Sequence, residues 1–330
     1  MATSTTTTDN NDIDLSLLRD RLVSIALEAG RVITGATPST SSTSTGTKKN
    51  TADLVTETDQ AVEAFISSKL STLYPTFSFL GEETYQPGMK LGREPTFVVD
   101  PIDGTTNFVH RWPYVSVSLG FAVDRIPTVG VVYNPFTRRL YSGVRGQGSF
   151  VADVPDSATV SNRQKLPLKP LEPLAGLASS LIAIEWGSDR SGPNWAVKCS
   201  TWARLGASKD EGGAMVHSAR ALGSAALNLC AVAEGSIDAY WEGGCWAWDV
   251  CAGWVVLTEA GGGIVVDGNP PSRSGNANAQ PARQDGDDAS AWRIPVDHRK
   301  YLAVKGATAG QREFVEEFWS YVQGEMVYEH

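Results

Sequence analysis

Apolar positions recur along this chain with two periods, one helical and one alternating. Leu15, Leu18, Leu22, Ile25 and Ala29 fall at helical spacing and predict a helix over about 14–34. Val62, Phe65, Ile66, Leu70 and Leu73 mark one face of a second helix that stops at Pro75. Between them, "DLVTETD" (53–59) reads as a short strand running into a turn. "FSFLGEE" (77–83) and "TFVVD" (96–100) read as strands ending in acids. The stretches 114–123, 127–135 and 138–150 alternate with period two around Gly-rich turns, which predicts antiparallel strands.

The second half is richer in small residues. A strand begins within 176–186. "ARALGSAALNLCAVAEG" (219–235) predicts a closely packed helix ending at Gly235. A strand at 237–243, a helix at 248–262 with Asp249 at its start, a strand at 263–266 and a last helix near 308–323 follow. Three polar stretches interrupt the pattern: a disordered tail over 1–12, a Ser/Thr-rich loop over 35–50, and a loose proline-bearing insertion over 268–292. Strands interleaved with helices predict an α+β layered fold with mixed and antiparallel sheets. A seam near 160 would separate an N-terminal α+β subdomain (13–160) from a C-terminal α/β subdomain (161–330).

Composition narrows the partners. A net charge of −9 argues against nucleic acid or an anionic membrane surface, and no apolar run has the length of a bilayer span. The N-terminus lacks the basic start and apolar core of a secretory signal, and the four cysteines show no pairing pattern. A cytoplasmic setting with free thiols is expected.

The acids change the picture. Asp59, Glu82 with Glu83, Asp100 with Asp103, and Asp249 each lie directly beside apolar, core-like sequence. Any one of them alone is better read as a solvated loop acid or a helix cap. Together, if they converge, they cannot all ionise unless cations neutralise them. Oxygen donors without His or Cys point to Mg²⁺ rather than zinc. Gly104-Thr105-Thr106 opens a turn with free N–H groups for an anion, and Gly223-Ser224-Ala225 could do the same at another helix start. Acids for metals beside amides for an anion describe metal-assisted hydrolysis of a phosphate ester.

Other chemistries fail on spacing. Cys199 and Arg204 are one residue too close for a cysteine-phosphatase loop, and no G-x-x-x-x-G-K-[ST] loop is present. "GVRGQG" (143–148) has the wrong glycine spacing for a dinucleotide fingerprint. The four histidines are scattered, and the tryptophans at 241, 246, 248 and 254 read as core.

"DPIDGTTNFVH" resembles the signature of the inositol monophosphatase family, as do "DLVTETDQAVE", "FLGEE" and "WDVCAGWVVLTEAGG", in the family's order. The Ser/Thr-rich loop and the insertion fit the family's fungal branch associated with quinate utilisation. The resemblance implies an α-β-α-β-α sugar-phosphatase-like fold. It implies Mg²⁺ on Glu82, Asp100 and the Ile102 carbonyl, a second ion on Asp100, Asp103 and Asp249, and a weaker third on Glu82 and water. It further implies that Thr105, bonded to Asp59, orients the attacking water. Glu242 would contact polyol hydroxyls, and Gly104, Gly223, Ser224 and Ala225 would line the substrate. Lys48 would stand near the metals. Cys251, where relatives often carry a small residue, would be packing. A small polyol phosphate such as inositol monophosphate, lithium sensitivity and a homodimer follow from the same resemblance. The alternatives are another sugar phosphate or bisphosphate, or a catalytically idle regulatory relative in quinate metabolism.

Overall fold

The computed structural model describes residues 13–36, 45–47, 54–155, 160, 162–271 and 294–329, the backbone alone at 45–47 and 54–56. The expected tail 1–12, Lys48 and most of the Ser/Thr-rich loop and of the insertion lie outside the described residues.

The N-terminal half winds two helices, α1 (Leu15–Gly35) and α2 (Glu57–Leu73), onto a sheet. Asp14 caps α1 by accepting the Leu17 N–H at 2.9 Å, and Leu18, Leu22, Ile25 and Ala29 point into the core. A short antiparallel pair, β1 (Thr45–Thr47) and β2 (Leu54–Thr56), precedes α2. The chain passes from β2 directly into α2, so Asp59 sits in the helix's first turn rather than in a separate turn. Seven strands form the first sheet: β3 (Ser78–Gly81), β4 (Thr96–Asp103), β5 (Ser116–Val123), β6 (Ile126–Asn134), β7 (Arg139–Val144), β8 (Gly148–Asp153) and β9 (Gln164–Lys165), in that spatial order. β3 and β4 run parallel, and every later neighbour is antiparallel, as the period-two stretches predict.

The second sheet contains β10 (Leu181–Ile184), β11 (Ser218–Arg220), β12 (Ala239–Gly243), β13 (Ile264–Asp267) and β14 (Lys300–Val304) in the order β11-β10-β12-β14-β13. α5 (Ala225–Glu234) and α6 (Ala247–Thr258) fill the space between the sheets, and Cys230, Cys251, Trp248 and Tyr240 belong to that shared core. α4 (Gly192–Gly206) and α7 (Gln311–Tyr321) cover the far face of the second sheet around Trp241, Phe314 and Phe318. With α1 and α2 on the outer face of the first sheet, five layers alternate α-β-α-β-α.

Three departures from the sequence pattern bear on the site. β4 runs on to Asp103 with every residue buried, and a five-residue helix, α3 (Thr105–Val109), follows it at once. α5 begins at Ala225 rather than near 219: Gly223 takes a left-handed φ of 81°, Ser224 is the extended cap, and 218–220 pair as β11. α4 was hidden by its composition, since its buried face carries Lys198 and Thr201 beside Val197 and Leu205.

Candidate active site

The acids meet because of an irregularity in β4. Asp100 pairs with Ser118 of β5 and Asp103 with Ser116, so three steps along β4 match two along β5. The extra residue is a bulge at Pro101–Ile102, where proline has no N–H to give the ladder. Side chains three apart in a regular strand point to opposite faces, and the bulge puts Asp100 and Asp103 on the same face. Beside Asp100, the parallel β3 continues far enough for the Glu82 N–H to donate to the Val99 carbonyl at 3.2 Å. The first turn of α6 delivers Asp249, whose Oδ2 accepts the Trp246 N–H at 2.6 Å.

Oxygens of Glu82, Asp100 and Asp249 all lie within 4.8 Å of one another. Tyr85, two residues past Glu83, packs with tilted rings against Trp246 and Trp248, centroids at 4.9 and 5.2 Å, and so pins the Glu82 turn to the start of α6. Ser118 Oγ donates to the Trp248 carbonyl at 3.1 Å and ties α6 to β5. Asp100 is 2% exposed, and burial, then the charges of Glu82, Asp103 and Asp249, hold its carboxyl well above the usual range. Asp249 is pushed up in the same way, by burial first and then by Glu82 and Asp103. Among the described residues, no Lys or Arg forms an ion pair with Asp100 or Asp249. Carboxylates crowded this closely, with only oxygen donors, fit a hard divalent cation.

A second group surrounds α3. Thr105 Oγ1 lies 3.0 Å from Asp59 Oδ1 and 3.1 Å from the Ile102 carbonyl, so its hydroxyl hydrogen has two acceptors. The Asp100 carboxylate accepts the Ile102 N–H at 3.0 Å. Gly104 takes a φ of 95°, and a Cβ there would meet the carbonyls of Gly223 and Tyr114 at 3.0 Å. The two candidate anion turns are therefore in contact. Asp103 joins them: Oδ2 accepts from Ser224 Oγ, Ser116 Oγ at 3.2 Å and the Ala226 N–H at 2.9 Å, while Oδ1 takes only the Ala225 N–H at 3.1 Å. Burial raises the Asp103 carboxyl to about 6, with those donors restraining the rise.

Glu242, at the end of β12, lies with Glu82 and Asp249 on the wall of one cleft of about 1060 Å³. Its carboxylate accepts from Tyr240 Oη, and burial, followed by the charge of Glu185, pushes it up to about 7. The structure thus brings together Glu82, Asp100 and Asp249, pairs Thr105 with Asp59, and gathers Asp103, Ser224 and Ala225.

Three positioning residues escaped the sequence reading. Glu63 Oε2 accepts the Glu83 N–H at 2.8 Å and holds the turn that carries Glu82. Glu185 Oε1 accepts the Leu222 and Gly223 N–H groups at 2.7 and 2.9 Å, together with Asn228 Nδ2 at 2.9 Å. Asn107 Nδ2 donates to the Tyr114 and Leu222 carbonyls at 2.8 and 2.7 Å. The signal for Glu63 was an acid on the core face of α2, beside Val62 and Ile66. For Glu185 it was an acid ending the apolar run "LIAI".

Comparison with known proteins agrees with this geometry. A sequence model described as the Inositol monophosphatase family matches residues 14–311. The chain is 45% identical over 287 residues to inositol monophosphatase 2 of Saccharomyces cerevisiae, covering 85% of this chain and 86% of the yeast protein. It is 42% identical over 239 residues to protein qutG of Emericella nidulans, covering 68% and 69% of the two chains. A solved inositol monophosphatase from Anabaena (Nostoc) sp. PCC 7120 superposes with a TM-score of 0.66 at 26% identity, covering 94% of this chain and 98% of the other.

Proposed function

The chain belongs to the inositol monophosphatase family and is a phosphoric monoester hydrolase, and from that premise we propose that it cleaves a small polyol phosphate, inositol monophosphate first, with Mg²⁺. The observation that carries this reading is the convergence of Glu82, Asp100 and Asp249 within 4.8 Å on oxygen donors alone. Two ions are proposed: Glu82, Asp100 and the Ile102 carbonyl would hold one, and Asp100, Asp103 and Asp249 would hold the other. A third would rest on Glu82. Asp103 Oδ1, with one protein donor, keeps a lone pair for that purpose. When bound, Mg²⁺ supplies an activated water and neutralises the charge that develops on the leaving alkoxide.

The chain's own residues do the positioning. Thr105 Oγ1, with its hydrogen turned toward Asp59 Oδ1, offers a lone pair that orients the attacking water. Asp59, 1% exposed, holds that hydroxyl in one rotamer. The N–H groups from Gly104 to Thr106 take the phosphate oxygens. Gly223 and Ala225 spend their N–H groups on Glu185 and Asp103, so with Ser224 they shape the polyol side of the site and donate no hydrogen bond from those two amides. Glu242, with a carboxyl near 7, can accept from one polyol hydroxyl or donate to another. A homodimer and a cytoplasmic setting complete the proposal. No described helix is long and apolar enough to cross a membrane.

The test is phosphate release from inositol monophosphate with Mg²⁺ and with chelator. Release that needs Mg²⁺ is expected. Failure on this ester with cleavage of fructose bisphosphate would move the substrate and leave the reaction. The likeness to the quinic acid degradation cluster protein x of Neurospora crassa, 36% identical over 307 residues, favours a second setting, quinate utilisation, for the same site. Asp59, Glu82, Asp100, Asp103, Thr105 and Asp249 are all retained, which argues for a working site there too.

A further inference from the structure

The segment that follows α7 returns to line the cleft with Val327, Tyr328 and Glu329. Met326 is fully buried and anchors it. Asn269 receives the Met326 N–H at 3.0 Å and donates to the Met326 carbonyl at 2.9 Å. Asn194, on α4, repeats the pattern at Val327 with 2.9 Å for both bonds. Two amide side chains from separate elements thus imitate a strand partner for consecutive residues. Arg299 adds a third tie. Its Nη1 donates to the Glu329 carbonyl at 2.7 Å, and Nη2 and Nε donate to the Gly244 and Cys245 carbonyls at 2.8 and 3.1 Å. Its guanidinium lies 3.4 Å from the centroid of the Trp246 ring.

These ties set the Tyr328 ring on Gly243–Gly244, the two residues after Glu242. A Cβ on Gly243 would fall 2.8 Å from Tyr328 Cε2, and one on Gly244 3.3 Å from Cε1. Only glycine lets the ring come this close. Tyr328 and Glu329 line the same cleft as Glu82, Glu242 and Asp249. The Tyr328 hydroxyl is buried without a partner among the described residues, so the ring rather than the oxygen forms the surface offered to the cleft.

We infer that residues 327–329 form a wall of the cleft that holds Glu82 and Asp249, and that the Tyr328 ring is a specificity-determining surface for the part of the substrate distant from its phosphate. This rests on the polyol-phosphate reading above. A ring-sized polyol has more carbons and hydroxyls beyond its phosphate to lay against that wall than a three-carbon ester has. The wall therefore adds binding for the larger substrate without touching the reacting atoms, which places its effect in KM.

The experiment compares kcat and KM for inositol monophosphate and for glycerol phosphate in the wild type, in Y328F, in Y328A and in a chain ending at Met326. The truncation leaves the buried Met326 anchor in place and removes only half-buried or exposed side chains from the described part of the segment. Y328A and the truncated chain should lose roughly tenfold in preference for inositol monophosphate, through KM, equivalent to about 1.4 kcal/mol. Y328F should retain the preference, because the ring remains. An unchanged preference in Y328A or in the truncated chain overturns the wall, and so does a loss in Y328F. A wild type that releases phosphate from neither ester brings down the functional reading and this inference together. A selective wild type whose preference survives the changes sinks the inference alone.

Discussion

Replacing Asp249 with Asn separates a charge from the volume it occupies. The side chain sits at the third position of α6, and its Oδ2 accepts the Trp246 N–H at 2.6 Å. Asn keeps a carbonyl oxygen for that bond, so the loss in capping and helix-dipole energy is about 1–2 kcal/mol. Against this stands repulsion from Glu82 and Asp100, whose oxygens lie within 4.8 Å. With an effective dielectric of about 20, each fully ionised pair at that range repels by about 3 kcal/mol. Relief of repulsion wins, so the metal-free D249N protein should melt at or above the wild-type temperature in chelator. With Mg²⁺ the order reverses. The wild type gains about 2.7 kcal/mol at a hundred times its Kd, and the variant, with one anionic ligand fewer, gains much less. Phosphate release should fall by about a hundredfold or more, the scale of losing a group that stabilises charge at the reacting centre. Melting curves with and without Mg²⁺, alongside a phosphate-release assay, read both quantities. A variant that melts well below wild type in chelator would make Asp249 a structural cap. A stable variant with wild-type turnover would remove the acid cluster from the reaction.

Thr105→Ala should lower kcat much more than it raises KM, and Thr105→Ser should restore most of the rate, because only the hydroxyl meets Asp59 at 3.0 Å. Gly104→Ala forces a side chain into φ 95° against two carbonyls at 3.0 Å, and urea unfolding should show a loss of about 1–3 kcal/mol. Glu185 is buried and its carboxyl is raised from the ordinary 4.5, chiefly by that burial. From about pH 4.5 up to the raised native value, the folded protein holds more protons than the unfolded chain, so stability drains away as pH rises through that window. Glu185→Gln keeps an acceptor for the Leu222 and Gly223 N–H groups, so its urea midpoint should change less than wild type's between pH 5 and pH 8. Millimolar Li⁺ should slow phosphate release at saturating Mg²⁺, and a rate that ignores it would count against the proposed ion sites.

Much of this architecture was legible from periodicity. The ribbon from β5 to β8 announced itself by strict alternation, and α1 by its apolar stripe. α4 did not, because its core face includes Lys198, whose ammonium is satisfied by the carbonyls of Gly243 and Trp186 at 2.6 and 3.2 Å. Those partners are distant in sequence, so nothing local marks the lysine as buried. The start of α5 was misplaced because "ARALGSAALN" is rich in good helix formers, and only the left-handed Gly223, in contact with Asn107, breaks it. The acids of the site were visible as charges abutting apolar runs. The carboxylates that hold the surrounding backbone were passed over because Glu63 lies inside α2 and Glu185 directly after β10, where the apolar pattern had already been explained.

The surplus residue in β4 has a consequence for anyone reading sequences for paired acids. Parity decides which acids can share a cation. In an undisturbed ladder, even separations agree and odd ones disagree, so a search built on strand parity would discard Asp100 and Asp103 as a mismatched couple. Excising Ile102 would not merely shorten the loop. It would leave an even interval in a ladder without its defect: the two acids would still share a side and Asp103 would still face Ser116, but the carbonyl that Thr105 Oγ1 approaches at 3.1 Å would be gone.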